Sequence, residues 1–222
     1  DAPAEIHHLD PATGAGPVCS RDHAEMGEIV RSSARTATVE IDVRTTSPIL
    51  SVDLFTASRI VATFRGYDRD ALGRRLRVLC NGAEYRGRGR RTSWQGTATF
   101  SDAAVDRIVP INWWNPERPL RLERPGTVRF EAVTTGNFVG FDAILERLDG
   151  ALRIVTDRVE GEVVLGDLGV EPVVLDAGGL ERAVSVQRLP DRLEVREMAV
   201  SHPVALFDDV DTPVWIRVRT ED

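Results

Sequence analysis

The feature that most constrains the fold of this chain is a strict alternation of apolar and polar residues in short segments. Between residues 39 and 44, for example, three apolar side chains alternate with three charged ones: Val39, Ile41 and Val43 with Glu40, Asp42 and Arg44. Successive side chains of a β-strand point to opposite faces, so this spacing predicts a strand with one buried face. No segment shows a comparably clear helical period. The pattern therefore predicts an all-β protein.

The same alternation, or a short apolar run, returns along most of the chain. Further predicted strands cover residues 50–54, 60–64, 128–132, 139–145, 152–156, 162–165, 173–175, 184–187, 204–207 and 214–218. Turn residues such as Asp149-Gly150 and Gly178-Gly179 separate them. Many short strands at this spacing favour antiparallel sheets packed as a β-sandwich.

The domain organisation follows from where the alternation begins and ends. Residues 1–35 are rich in proline and glycine and predict an extended lead-in from an upstream domain. We expect residues 36–66 and 203–222 to form an immunoglobulin-like sandwich, interrupted by a larger β-rich insertion over residues 67–202. The alternative is one continuous sandwich.

For two segments of the insertion, the sequence pattern does not directly indicate the secondary structure. Residues 74–85 and 92–100 are predicted to pair as a long hairpin, with Trp94, Ala98 and Phe100 on its buried face. A helix over residues 70–79 is the alternative, which Gly73 disfavours. Residues 108–119 contain adjacent tryptophans and end in Pro119, so we expect an irregular segment there.

Positive charge is concentrated between residues 74 and 94. The chain has a net charge of −7, yet this stretch carries one acid, Glu84, against seven arginines: Arg74, Arg75, Arg77, Arg86, Arg88, Arg90 and Arg91. The last four surround Gly87 and Gly89, and we expect them to contact an anion or an acidic domain. The alternative is a solvated hairpin tip. The overall acidity argues against a nucleic-acid partner.

Trp113 and Trp114 are the candidate aromatic contact residues. Beside Arg118 and Arg121, two adjacent indoles can form a stacking platform for a sugar or a base. The alternative is that one indole belongs to the core and the other covers an interface.

The sequence predicts no catalytic residue, no metal ligand and no cofactor within this chain. His7, His8 and Asp10 lack a third ligand at a useful spacing, so we interpret them as surface residues. Cys19 and Cys80 are the only cysteines, and free thiols fit a reducing, cytoplasmic compartment. No apolar run approaches the roughly 20 residues of a membrane helix, so no membrane association is expected.

Five short motifs carry a resemblance to a known family. They are AEMGEI at residues 24–29, GAEYRGRGR at 82–90, INWWNPE at 111–117, TTGNF at 134–138 and DAGGL at 176–180. Together they resemble the C-terminal region of a bacterial family of unknown function, in which this region follows a domain similar to the polymerase and histidinol phosphatase (PHP) metallohydrolases.

The resemblance implies a metal-dependent, phosphoesterase-like domain upstream, which would hold a divalent metal and contact this chain. It implies no metal ligand among the residues present here. We therefore expect a non-catalytic accessory β-domain, with a carbohydrate-binding or adhesive module as the alternative. The resemblance also implies a further strand beyond Asp222, and a chain that lacks this strand is expected to self-associate through an open sheet edge.

Overall fold

The computed structural model describes residues 9–11, 34–124, 126–206 and 212–221, and nearly all of its regular structure is strand. The strands are β1 Leu9–Pro11, β2 Thr36–Arg44, β3 Ile49–Thr56, β4 Arg59–Phe64, β5 Arg75–Ala83, β6 Thr92–Phe100, β7 Val105–Ile111, β8 Leu120–Arg124, β9 Thr127–Thr134, β10 Phe138–Leu145, β11 Ala151–Thr156, β12 Glu160–Val164, β13 Val173–Asp176, β14 Leu180–Leu189, β15 Glu197–Ala205 and β16 Val214–Thr220. One 3-10 turn, Leu165–Asp167, follows β12.

The predicted all-β, antiparallel fold is confirmed, because the strands form four sheets in which every ladder between described strands is antiparallel. The described part of the chain contains no helix long and apolar enough to cross a membrane.

The chain divides into two compact units. One comprises residues 1–66 and 193–222, and the other, the inserted unit, comprises residues 67–192. The inserted unit ends before the position expected from the sequence, residue 202, because β15 pairs with β2 along its whole length. Strand β15 therefore belongs to the first unit.

The first unit contains two three-stranded sheets, with strand orders β1-β2-β15 and β16-β3-β4. Its core is a single apolar cluster built mainly from β2 and β3: Val39, Ile41, Val43, Ile49, Val52, Leu54 and Val204. The alternation in residues 39–44 therefore places its apolar face where the sequence predicts it.

The inserted unit contains two five-stranded sheets, with strand orders β13-β14-β5-β10-β7 and β12-β11-β6-β9-β8. Its own core draws apolar side chains from both sheets, and Trp94, Phe130 and Phe141 are its largest fully buried members. The predicted inward face of residues 92–100 is confirmed, since Trp94, Ala98 and Phe100 are all buried.

Two local predictions in the inserted unit are wrong. Strands β5 and β6 are not a hairpin: β5 pairs with β10 and β14, whereas β6 pairs with β9 and β11. Residues 84–91 therefore link the two sheets. The segment predicted to be irregular from residue 108 begins only at Asn112, because β7 pairs with β10 up to Ile111. As an edge strand, β7 tolerates Pro110.

Candidate functional site

Five loops meet at one end of the inserted unit. All the strands are antiparallel, so alternate connections return to the same end, and these five are residues 84–91, 112–119, 135–137, 157–159 and 177–179. Hydrogen bonds join two of these loops to the ends of neighbouring strands: Gly82 N in β5 donates to Asn137 O at 3.1 Å, and Asn112 Nδ2 donates to Phe138 O in β10 at 3.3 Å. We call this surface the loop end. Loops held on a rigid sandwich commonly carry binding residues.

The loop of residues 84–91 brings four unpaired positive charges to the loop end. Arg86, Arg88, Arg90 and Arg91 are exposed, and none of their guanidinium groups bonds to a side chain or backbone atom of the described residues. The one acid of the loop, Glu84, is engaged elsewhere: Arg158 lies 3.6 Å from its carboxylate, and Arg182 forms an ion pair with it. The four arginines therefore form a cationic surface that has no ion pair with the described residues.

The arginine-rich stretch of the sequence does not stay together. Arg75 and Arg77 lie in β5 and are almost fully buried, where both donate hydrogen bonds to the buried carboxylate of Asp142 in β10. Arg77 Nε lies 2.8 Å from Asp142 Oδ1. These two arginines are part of the sheet and not of the cationic surface.

The two adjacent tryptophans have different environments. Trp113 is partly buried against the core, and its Nε1 donates to Arg118 O at 3.1 Å. Trp114 is 71% exposed. This arrangement fits the alternative drawn from the sequence, in which one of the two indoles belongs to the core. Trp114 is therefore the tryptophan that is accessible to a ligand.

Trp114 is not the sole exposed aromatic residue at the loop end. Tyr85 and Phe138 also lie there and are exposed, whereas the remaining aromatic side chains of the inserted unit are buried or partly buried. Neither residue is among the contact residues that the sequence predicts. A signal was present for Phe138, which directly follows the turn at Gly136-Asn137 and starts a strand with its side chain on the outer face.

A shallow depression lies beside Trp114. Its polar and aromatic lining consists of Asn112, Trp113, Trp114, Asn115, Arg118 and Glu131. Arg118 Nε is buried and has no hydrogen-bond acceptor among the described residues. Aromatic, amide and guanidinium groups in one depression are suited to binding a polar ligand that has a flat or ring-shaped face.

Metal-ligating side chains and thiols are the remaining groups with possible chemistry. No group of three or more His, Cys, Asp or Glu side chains among them lies close enough to hold a metal ion. Burial, with a smaller effect of Asp157, raises the pKa of the Cys80 thiol, so this free thiol stays protonated and unreactive. His7, His8 and Cys19 lie outside the described residues, and only the backbone of Asp10 is described.

Comparison of the chain with protein-family models, curated proteins and solved structures finds no match. The fold and the loop end define a two-unit, antiparallel β-sandwich protein with a cationic and aromatic surface at one end of its inserted unit. The resemblance to the PHP-associated family and to immunoglobulin-like domains stays a prediction.

Proposed function

We propose that this chain is a non-catalytic accessory β-domain of a PHP-like, metal-dependent hydrolase, and that its loop end contacts an anionic partner. That partner is the substrate of the hydrolase or an acidic face of its catalytic domain. The resemblance supplies the link to the hydrolase. The observation that carries the binding role is the location, at the same end of the inserted unit, of all its exposed aromatic residues and of four arginines that have no partner among the described residues.

The composition of the loop end supports a binding role. Arginine, tyrosine and tryptophan contribute most of the energy at protein interfaces, since they combine apolar area with hydrogen-bonding or charged groups. Several exposed aromatic side chains gathered on one surface are typical of an interaction site, whereas single ones are common on any protein. The four arginines add a long-range attraction toward negative charge.

A salt titration tests the anionic partner, with poly-L-glutamate as the probe. Replacing Arg86, Arg88, Arg90 and Arg91 by glutamine is expected to weaken binding and to flatten its dependence on salt, because fewer charges meet the probe. The matched control replaces four other exposed arginines of the inserted unit by glutamine: Arg69, Arg107, Arg124 and Arg192.

The control removes the same charge from the protein but not from the loop end, and it is expected to bind much like the wild type. Equal losses in the two variants would assign binding to net charge and contradict the proposal. The link to a hydrolase has a separate test, the full reading frame. Histidine and carboxylate metal-ligand motifs upstream would support it, and a different upstream domain would overturn it.

A carbohydrate-binding module is the second candidate function. The observation that favours it is Trp114, which presents an open indole beside the side-chain amides of Asn112 and Asn115. This function does not require a hydrolase in the same polypeptide.

A further inference from the structure

We propose that the depression beside Trp114 binds a pyranose ring that carries a carboxylate, that is, a uronic acid residue of an acidic glycan. The inference rests on the proposed function, because it names the chemical class of the anionic partner of the loop end. Three properties of the depression support it: the indole face of Trp114 is fixed in position, two asparagine amides have unbonded atoms, and the guanidinium of Arg118 lacks an acidic partner among the described residues.

The indole of Trp114 is presented on a segment that is fixed by hydrogen bonds. Trp114 N donates to Asn112 O at 3.0 Å, Arg118 N donates to Asn115 O at 3.2 Å, and Glu117 N donates to Asn115 Oδ1 at 3.0 Å. The packed indole of Trp113 anchors the same segment through its bond to Arg118 O. A ligand that covers the Trp114 ring therefore gains apolar contact without the cost of ordering a loop.

The two asparagines beside the indole each have half of their amide group free. The Nδ2 of Asn112 donates to Phe138 O, and its Oδ1 has no partner among the described residues. The Oδ1 of Asn115 accepts from Glu117 N, and its Nδ2 is likewise without a partner in this part of the chain. One free acceptor and one free donor flank the ring, as the hydroxyl groups of a sugar require.

The charge of the ligand follows from Arg118. Its Nε is buried without an acceptor, and its guanidinium forms no ion pair with the described residues, although Glu131 lines the same depression. The two terminal nitrogens of the same guanidinium also lack a partner among the described residues but are not closed to solvent, so they can donate hydrogen bonds to a carboxylate of a ligand. The four arginines of residues 84–91 lie at the same end and favour further acidic units of the glycan.

Binding is measured by titration calorimetry with four probes: tetragalacturonate, its neutral methyl ester, poly-L-glutamate and a ten-residue oligothymidylate. Trp114→Ala is expected to weaken tetragalacturonate binding about tenfold, the effect of losing one stacked ring, and to weaken poly-L-glutamate binding less, because that probe has no ring to stack on the indole. Trp114→Phe keeps an aromatic face and is expected to restore part of the affinity. Arg118→Gln is expected to reduce the preference for tetragalacturonate over the methyl ester.

The outcomes separate this inference from the proposed function. If wild-type protein binds poly-L-glutamate but not tetragalacturonate, the uronate site is wrong and the anion-binding role stands. If it binds neither, both are wrong. Tighter binding of the oligothymidylate than of tetragalacturonate would overturn the sugar in favour of a base. Equal tetragalacturonate affinity in wild type and Trp114→Ala would also overturn the inference. Because Trp114 is exposed, the Trp114→Ala variant is expected to keep the fold.

Discussion

At the scale of single residues, two buried threonines face each other across β6 and β9. Thr92 and Thr134 are opposite in the register, and both are completely buried. The hydroxyl of Thr134 accepts a hydrogen bond from Trp94 Nε1 at 3.0 Å. The hydroxyl of Thr92 has no partner among the described residues. We therefore expect the two hydroxyl groups to have opposite effects on stability.

Substitution by valine, which removes each hydroxyl and nearly keeps the shape, tests this difference. Thr92→Val is expected to raise the free energy of unfolding by about 1 kcal/mol, because an unsatisfied buried group is removed. Thr134→Val is expected to lower it by about 1–3 kcal/mol, since Trp94 Nε1 then loses its acceptor. Urea denaturation measures both. A loss of stability in both variants would show that the Thr92 hydroxyl is bonded.

At the scale of elements, the pairing of β10 with β5 depends on a glycine. Gly140 lies opposite Leu79 in this ladder, and a Cβ atom added to Gly140 would lie 1.9 Å from Val78 O. The backbone of a central strand cannot move away without losing its ladder hydrogen bonds. Gly140 therefore permits the close approach of two central strands of the sheet.

Gly140→Ala is expected to destabilise the inserted unit by at least about 1–3 kcal/mol, the range found for overpacked cores. Gly166→Ala is the matched control, because a Cβ atom at Gly166 would meet no atom within 4 Å. Thermal unfolding of the two variants measures the difference. Equal midpoints would contradict the close approach of β5 and β10.

At the scale of the whole molecule, each unit has its own apolar core. The cluster of the inserted unit and that of the first unit share no residue. The first and last segments of the inserted unit in the chain are hydrogen-bonded to each other. Gly73 N donates to Leu189 O at 3.0 Å, and Arg74 N donates to Asp191 Oδ1 at 2.7 Å. A unit with a separate core and adjoining ends has the properties of an independently folding domain.

We therefore expect a fragment of residues 67–192 to fold by itself. Calorimetry of this fragment should give one cooperative transition, because a single core of this size unfolds in a two-state manner. Near-ultraviolet circular dichroism reports on the buried environment of Trp94 and provides a second measurement. A fragment that lacks both signals would show that the inserted unit needs the rest of the chain.

The sequence by itself determined most of the strands and their buried faces, although it predicted neither β7 nor β8. The pleat of a single strand decides which side chains share a face, so burial of one face is a local property. Examples are the buried faces with Val39, Ile41 and Val43 and with Trp94 and Phe100. Only the tertiary structure decided which strands pair. Strands β5 and β6 are neighbours in sequence but lie in different sheets, because pairing depends on the common core of distant segments.

The same distinction applies to the candidate site. The arginines at residues 86–91 and the tryptophans at residues 113–114 are visible in the sequence, and their chemistry suggested binding. The burial of Arg75 and Arg77 was not visible, since it depends on Asp142, more than sixty residues away. The antiparallel order of the ten strands of the inserted unit separates these two arginines from the exposed ones. The same order places the exposed arginines at one end with Trp114, Tyr85 and Phe138. Contacts between residues far apart in the chain fix that order.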